Sequence, residues 1–234
     1  MDNKVTVVSA FVPLNVLHMS ADQYHELGER MFQAAREAGA NTSFIQSSLD
    51  YCWSHDLCIG KPPATETPAD RYATPEDHVK SHIVQHTRTQ WALDAKSAYP
   101  DTDVVIWLDL GILKQGKWNN KPIIADDVKW FVEAVQKYPF EGDMPFPGIT
   151  GPEPWLPRGN NWRFCGSTHI WPVKWLTQID NGYRQALRDF VSTYGCVPLD
   201  LTIWPLVERL RGVPFKWYQA EYDYTQLRNF PCVP

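Results

Sequence analysis

The sequence predicts one α/β domain of 234 residues, with a mostly parallel central sheet flanked by helices. Three observations carry that expectation. Two apolar runs, KVTVVSAF at 4–11 and DVVIWLDLG at 103–111, are rich in β-branched residues and too continuous for strands wet on one face. Between the first of them and a third strand-like run at 42–46 lies a stretch of helical periodicity, giving the strand, helix, strand order that parallel pairing requires. The length suits one α/β domain with a sizeable core, and there is no internal repeat or low-complexity tract.

Taken in order, the first strand stops at Pro13, and Ser20 to Gln23 has capping-box spacing ahead of a helix over 21–38. Tyr24, Leu27, Met31, Ala34, Ala35 and Ala38 recur at helical spacing, and Gly39 is placed to end the helix. Residues 50–73 carry three prolines and little periodicity, which predicts a long loop of the kind that forms a lid or a mobile insertion. Thr74 and Pro75 then start a helix expected to run to Ala98. After the 103–111 strand, Asp126 and Asp127 sit in the first turn of another helix, where acids complement the helix dipole.

The 139–160 stretch is proline-rich loop, with room for a short strand at 147–150. Residues 161–168, NWRFCGST, read as a strand feeding a turn. Pro172 starts a helix that can break at Asn181-Gly182 and closes at Gly195. Asp200 opens a last helix stopped by Gly212, and a final strand spans 214–218.

Composition narrows the function. A net charge of −5 and a pI near 5.8 argue against an electrostatically driven nucleic-acid or anionic-membrane binder. With no leader and no apolar run long enough to span a bilayer, the expectation is a cytoplasmic protein without a membrane span. Five cysteines without metal-ligand spacing suit reduced thiols, although Cys52 and Cys58 flank a loop and could pair. The tryptophans crowd at Trp155, Trp162, Trp171 and Trp175, as core filling or as platforms for sugars or bases.

Asp109 is the candidate around which a site can form. It would stand at the carboxyl end of the 103–111 strand, where open α/β sheets bind ligands, with Gly111 leaving room beside it. There it can hold a metal or a substrate hydroxyl, or simply cap the next turn. His78, His82 and His86 share a helix face at metal-ligand spacing but lack the acid of an HExxH pattern, so a polar flank is the better reading. No GxSxG elbow supports a serine hydrolase.

Together VTVVSAF, AYPDTDVVIWLDLG, NWRFCGS, PLDLTIW and WYQAEYD resemble segments of GT-A-fold nucleotide-sugar glycosyltransferases, especially the small HtrL/YibB-like and related families. The resemblance implies a Rossmann-like fold and transfer of a sugar from a nucleotide-sugar donor to a hydroxyl of a glycan, lipid or small molecule. It implies a donor site at Ala10, Phe11, Val12, Arg88, Trp107, Asp109 and Gly111, and an acceptor side at Trp162, Arg163, Gly166, Ser167 and Trp171. Asp200 would take the acceptor's proton, or serve only as a helix cap. A Mn²⁺ or Mg²⁺ ion would sit on Asp109 with Glu221 or Asp223, or the site would be metal-independent, because position 111 is glycine where a second acid is expected. Two alternatives remain beside it. One is transfer to a hydroxymethylated DNA base, which the acidic total charge disfavours; the other is a transferase fold that only binds.

Overall fold

The computed structural model describes residues 2–14, 19–68, 70–117, 120–149, 155, 157, 161, 163–209 and 213–231. In chain order the elements are β1 (Val5–Phe11), α1 (Ala21–Glu37), β2 (Asn41–Gln46), α2 (His55–Cys58), α3 (Pro75–His86), α4 (Arg88–Ala98) and β3 (Val104–Leu108). They continue with α5 (Ala125–Lys137), β4 (Met144–Gly148), β5 (Thr168–Pro172), α6 (Val173–Tyr194), α7 (Asp200–Glu208), β6 (Phe215–Gln219) and α8 (Thr225–Arg228). The main sheet has the order β2-β1-β3-β5. β1 runs parallel to β2 and β3, while β5 returns antiparallel on β3. β4 and β6 form a separate parallel pair.

β3 is buried along its whole length, as a strand covered on both faces should be. Successive side chains alternate between two cores. Val105 and Trp107 pack with Val79, Trp91, Leu176 and Tyr183 from α3, α4 and α6. Val104, Ile106 and Leu108 pack with Met31, Ala35, Val128 and Phe131 from α1 and α5. The α1 cap forms as its spacing predicts: the Ser20 hydroxyl accepts the Gln23 N–H, and the Gln23 side chain accepts the Ser20 N–H at 2.9 Å. Asp127 of α5 is structural too, since it accepts the Ile124 N–H and the Arg228 Nε–H.

Several sequence expectations are corrected. The helix expected over 75–98 is two helices, because the Thr87 hydroxyl donates back to the Ile83 carbonyl at 2.9 Å and the Thr87 N–H bonds Val84 in a tighter turn. That break makes Arg88 the first residue of α4. The strand expected in NWRFCGST begins only at Thr168; Cys165 instead gives its N–H to Pro147, beside β4. β4 itself starts at Met144, earlier than 147–150. α6 passes through Asn181-Gly182 unbroken and ends in a left-handed Gly195. α8 follows the helix expected to be last. Gly212 and Trp162 lie outside the described residues. Among those described, no helix is long and apolar enough to cross a membrane.

Candidate functional site

A cleft of about 1050 Å³ opens at the carboxyl ends of β1 and β3. Strand alternation explains its floor. Beyond the buried end of β3 the chain must turn, so Asp109 leaves the sheet half-buried, its N–H held by the Ser167 carbonyl at 3.0 Å. From the other side, the α3–α4 break delivers Arg88 into the same place. Its Nη2 donates to both oxygens of Asp109, at 3.0 and 3.2 Å. Its Nη1 donates to Asp200 Oδ2 and to the Gly166 carbonyl, each at 2.5 Å. One guanidinium thus joins two carboxylates and the turn before β5.

Further contacts set the geometry of that triad. Trp107 Nε1 donates to Asp109 Oδ1 at 2.7 Å, and the Trp107 ring stacks on Trp91 with centroids 5.7 Å apart and lies 5.5 Å from the Arg88 guanidinium carbon. His169 Nε2 meets the Gly166 carbonyl at 3.0 Å; burial holds its imidazole neutral, so this nitrogen is the donor. Gly166 sits in tight space: a Cβ there would lie 3.2 Å from Asp200 Oδ2 and from Leu201 Cδ2, so those side chains would have to shift slightly. Gly111 has a φ of −84°, so its use is room beside Met19 and Tyr24, not a left-handed turn.

The two carboxylates differ. The Asp200 side chain is 4% exposed and that of Asp109 is 32% exposed. Burial raises the Asp200 pKa above the usual carboxylate value, opposed by Arg88 and reinforced by the Asp109 charge. For Arg88, burial opposes the charge, but Asp109 and Asp200 keep the guanidinium protonated. Asp200 is also not the helix cap. Leu199 holds that position, and the Asp200 carboxylate accepts only the adjacent Leu201 N–H within α7.

Every expected donor-side residue lines the cleft: Ala10, Phe11, Val12, Arg88, Trp107, Asp109 and Gly111, with Gly166, Ser167 and Asp200 opposite. Arg163 and Trp171, the other described residues of the expected acceptor side, do not. Trp171 is fully buried, stacked on His169 at 5.1 Å and beside Trp204. Arg163 pairs with Glu208 at 2.6 Å between the Phe164 and Trp217 rings, away from the cleft. Trp155 is tied to α7 through the Thr202 carbonyl. Of the described tryptophans in that group, Trp171 therefore fills core, and Trp155 and Trp175 pack against it half-buried.

Neither Glu221 nor Asp223 lines the cleft with Asp109. Asp223 is buried and accepts the Thr225 N–H and hydroxyl, while Tyr222 between them turns into the cleft and accepts the Gly166 N–H at 3.2 Å. The residues present do not fit the implied Mn²⁺ or Mg²⁺ on Asp109 with Glu221 or Asp223, since neither of those acids lines the cleft and Asp223 is held by Thr225. Arg88 already supplies the positive charge between Asp109 and Asp200, and no group of three His, Cys, Asp or Glu among the described residues is placed for a metal. His78, His82 and His86 form an edge-to-face stack, with His86 bridging the Tyr183 hydroxyl and the Pro198 carbonyl.

Tyr24, Arg71, Tyr72, Gln115 and Tyr222 also line the cleft, and little in their local patterns marks them for it. Tyr24 belongs to an ordinary helical stripe, and only Tyr222 falls in a segment with a resemblance behind it. Burial, then the neighbouring Asp109, raise the Tyr24 pKa to about 12.

No protein-family model matches the chain, and no curated protein is detectably similar to it. Among solved structures, a glycosyltransferase involved in the glycosylation of the major capsid of PBCV-1 is similar, with a TM-score of 0.53 and 14% identity over 92% of this chain and 82% of that one. The likeness is one of fold: the chain has a glycosyltransferase-like α/β architecture, without a tie to the HtrL/YibB-like families in particular.

Proposed function

We propose that this protein transfers a sugar from a nucleotide-sugar donor to the hydroxyl of a glycan, lipid or small-molecule acceptor. The observation that supports it most is the Asp109–Arg88–Asp200 triad on the floor of a large cleft, at the sheet end where such folds bind ligands. Asp109 is the carboxylate open to that cleft, so it, and not the buried Asp200, takes the acceptor's proton. In the transfer, the bond from sugar C1 to phosphate oxygen breaks with its electron pair leaving on the phosphate. The acceptor oxygen bonds to C1, and its proton passes to Asp109. Arg88 and Trp107 fix the Asp109 carboxylate, and Asp200 holds Arg88.

The test is release of nucleoside diphosphate from UDP-, GDP- and dTDP-sugars, with water or simple glycosides as acceptor, in chelator and again with added Mn²⁺. Turnover that disappears in Asp109→Ala at unchanged thermal stability is the expected result. A wild type that neither turns over nor binds any of these nucleotides refutes the proposal. The pairing of Asp109 with a buried arginine favours a second reading, a sugar-nucleotide-binding protein without transfer, and binding without turnover would select it. A DNA-base acceptor has less support, since the exposed acids Glu66 and Asp70 are part of the cleft lining.

A further inference from the structure

We infer that Arg71 binds the phosphates of the ligand in this cleft, supplying positive charge that a bridging cation would otherwise bring. The inference rests on the glycosyl-transfer reading above and adds the residue that recognises the anionic part of the donor. A diphosphate needs positive charge facing it. Arg88, the cation at the centre of the cleft, is committed to Asp109, Asp200 and the Gly166 carbonyl, so its charge is already met by protein.

Arg71 is differently placed. It lines the same cleft, is exposed, and is the one cationic residue in the 65–72 segment TETPADRY. No hydrogen bond or ion pair joins its side chain to a described residue, while its charge acts on Tyr24 of α1 and His78 of α3. Tyr24 is also within electrostatic reach of Asp109, so Arg71 and Asp109 act on the same side chain of the cleft wall.

The backbone that carries Arg71 is pinned, which makes this a built position. Both the Arg71 and Tyr72 N–H groups donate to the Pro68 carbonyl at 3.1 Å. The Tyr72 ring stacks on His78 with centroids 4.7 Å apart and an interplanar angle of 24°, and the Tyr72 hydroxyl accepts from Ser81 at 2.9 Å. His78 Nδ1 meets the Thr67 hydroxyl at 3.3 Å on the other side. Part of the histidine row therefore docks this loop onto α3, which gives His78 a role without a metal. Guanidinium suits phosphate because its fork can donate two parallel hydrogen bonds.

The experiment is calorimetric titration of wild type, Arg71→Ala and Arg71→Lys with UDP, GDP, ADP and dTDP and with the matching nucleosides, in chelator and with Mn²⁺. For the diphosphate that wild type takes, Arg71→Ala should raise Kd on the order of ten-fold in chelator, leave the nucleoside Kd and the melting temperature unchanged, and be partly rescued by lysine. Equal diphosphate affinity in wild type and Arg71→Ala overturns the inference while transfer stands. So does binding that needs Mn²⁺ and ignores position 71, or a loss shared equally by nucleoside and diphosphate. A wild type that binds no nucleotide sinks the transfer reading and this inference with it.

Discussion

Replacing Arg88 with methionine should destabilise the fold strongly, and the size follows from burial. The Arg88 and Asp200 side chains are 7% and 4% exposed, so the variant leaves a carboxylate in a dry site facing Asp109, with no counter-charge. Removing one partner of such a pair costs about 3–5 kcal/mol. The Asp109 side is 32% exposed and adds little to that. At roughly 2–4 °C per kcal/mol for a chain of this length, the melting temperature should fall by about 6–20 °C. Scanning calorimetry or urea titration measures it directly.

Two internal controls sharpen the prediction. The double variant Arg88→Met/Asp200→Leu removes both charges and should recover most of the loss, to within about 1–2 kcal/mol of wild type. The deficit of the single variant should also shrink on acidification. Burial raises the folded-state pKa of Asp200 above 3.8, so the folded state binds more protons than the unfolded one. The cost is therefore present at neutral pH and is relieved as pH falls through the folded value toward 3.8. An Arg88→Met protein within about 1 kcal/mol of wild type, or a double variant no better than the single, would refute the view that Arg88 compensates a buried Asp200.

Three further outcomes are expected. His86 is fully buried, with its pKa lowered by burial to about 3, so the unfolded state takes a proton first: stability should be complete above pH 6.5 and fall by about 2 kcal/mol by pH 5 from this group alone, and an acid titration of melting temperature with a flat response there would contradict it. Burial raises Cys52 to about 11 and Cys58 to about 12 and raises Cys165 further, so in a Cys232→Ser background these thiols should be inert to a disulfide reagent at pH 8 until the protein unfolds; a fast-reacting thiol assigned to one of them by mass spectrometry would count against their burial. Gly148→Ala would put a Cβ 2.0 Å from the Arg163 carbonyl oxygen and 2.3 Å from Trp217 Nε1, and should cost at least about 2 kcal/mol by calorimetry, because backbone cannot give way as a side-chain end can.

The difference between legible and illegible features is physical. α1 was legible because its cap, its stripe and its stop lie within twenty residues, and each is satisfied locally. β3 was legible because burial on both faces demands a continuous apolar run. The 75–98 helix was misread, since the bond from the Thr87 hydroxyl to the Ile83 carbonyl leaves the hydrophobic pattern intact on either side. NWRFCGST looked like a strand because Trp and Phe favour strands, yet the aromatic ring of Phe164 is fully buried in a turn, against Phe146.

At the site, sequence by itself determined that Asp109 would end a central strand and that Asp200 begins a helix, while only the resemblance put residues of the first strand and Arg88 near Asp109. Tertiary structure decided what those residues do to one another. Arg88 meets Asp109 across 21 positions and Asp200 across 112, and no local pattern encodes an ion pair at such separations. It also decided that Tyr222, and neither Glu221 nor Asp223, lines the cleft from the tail segment, with Asp223 bound to Thr225. Periodicity records which face of an element is apolar; which charges share a buried volume depends on where separate elements are packed together.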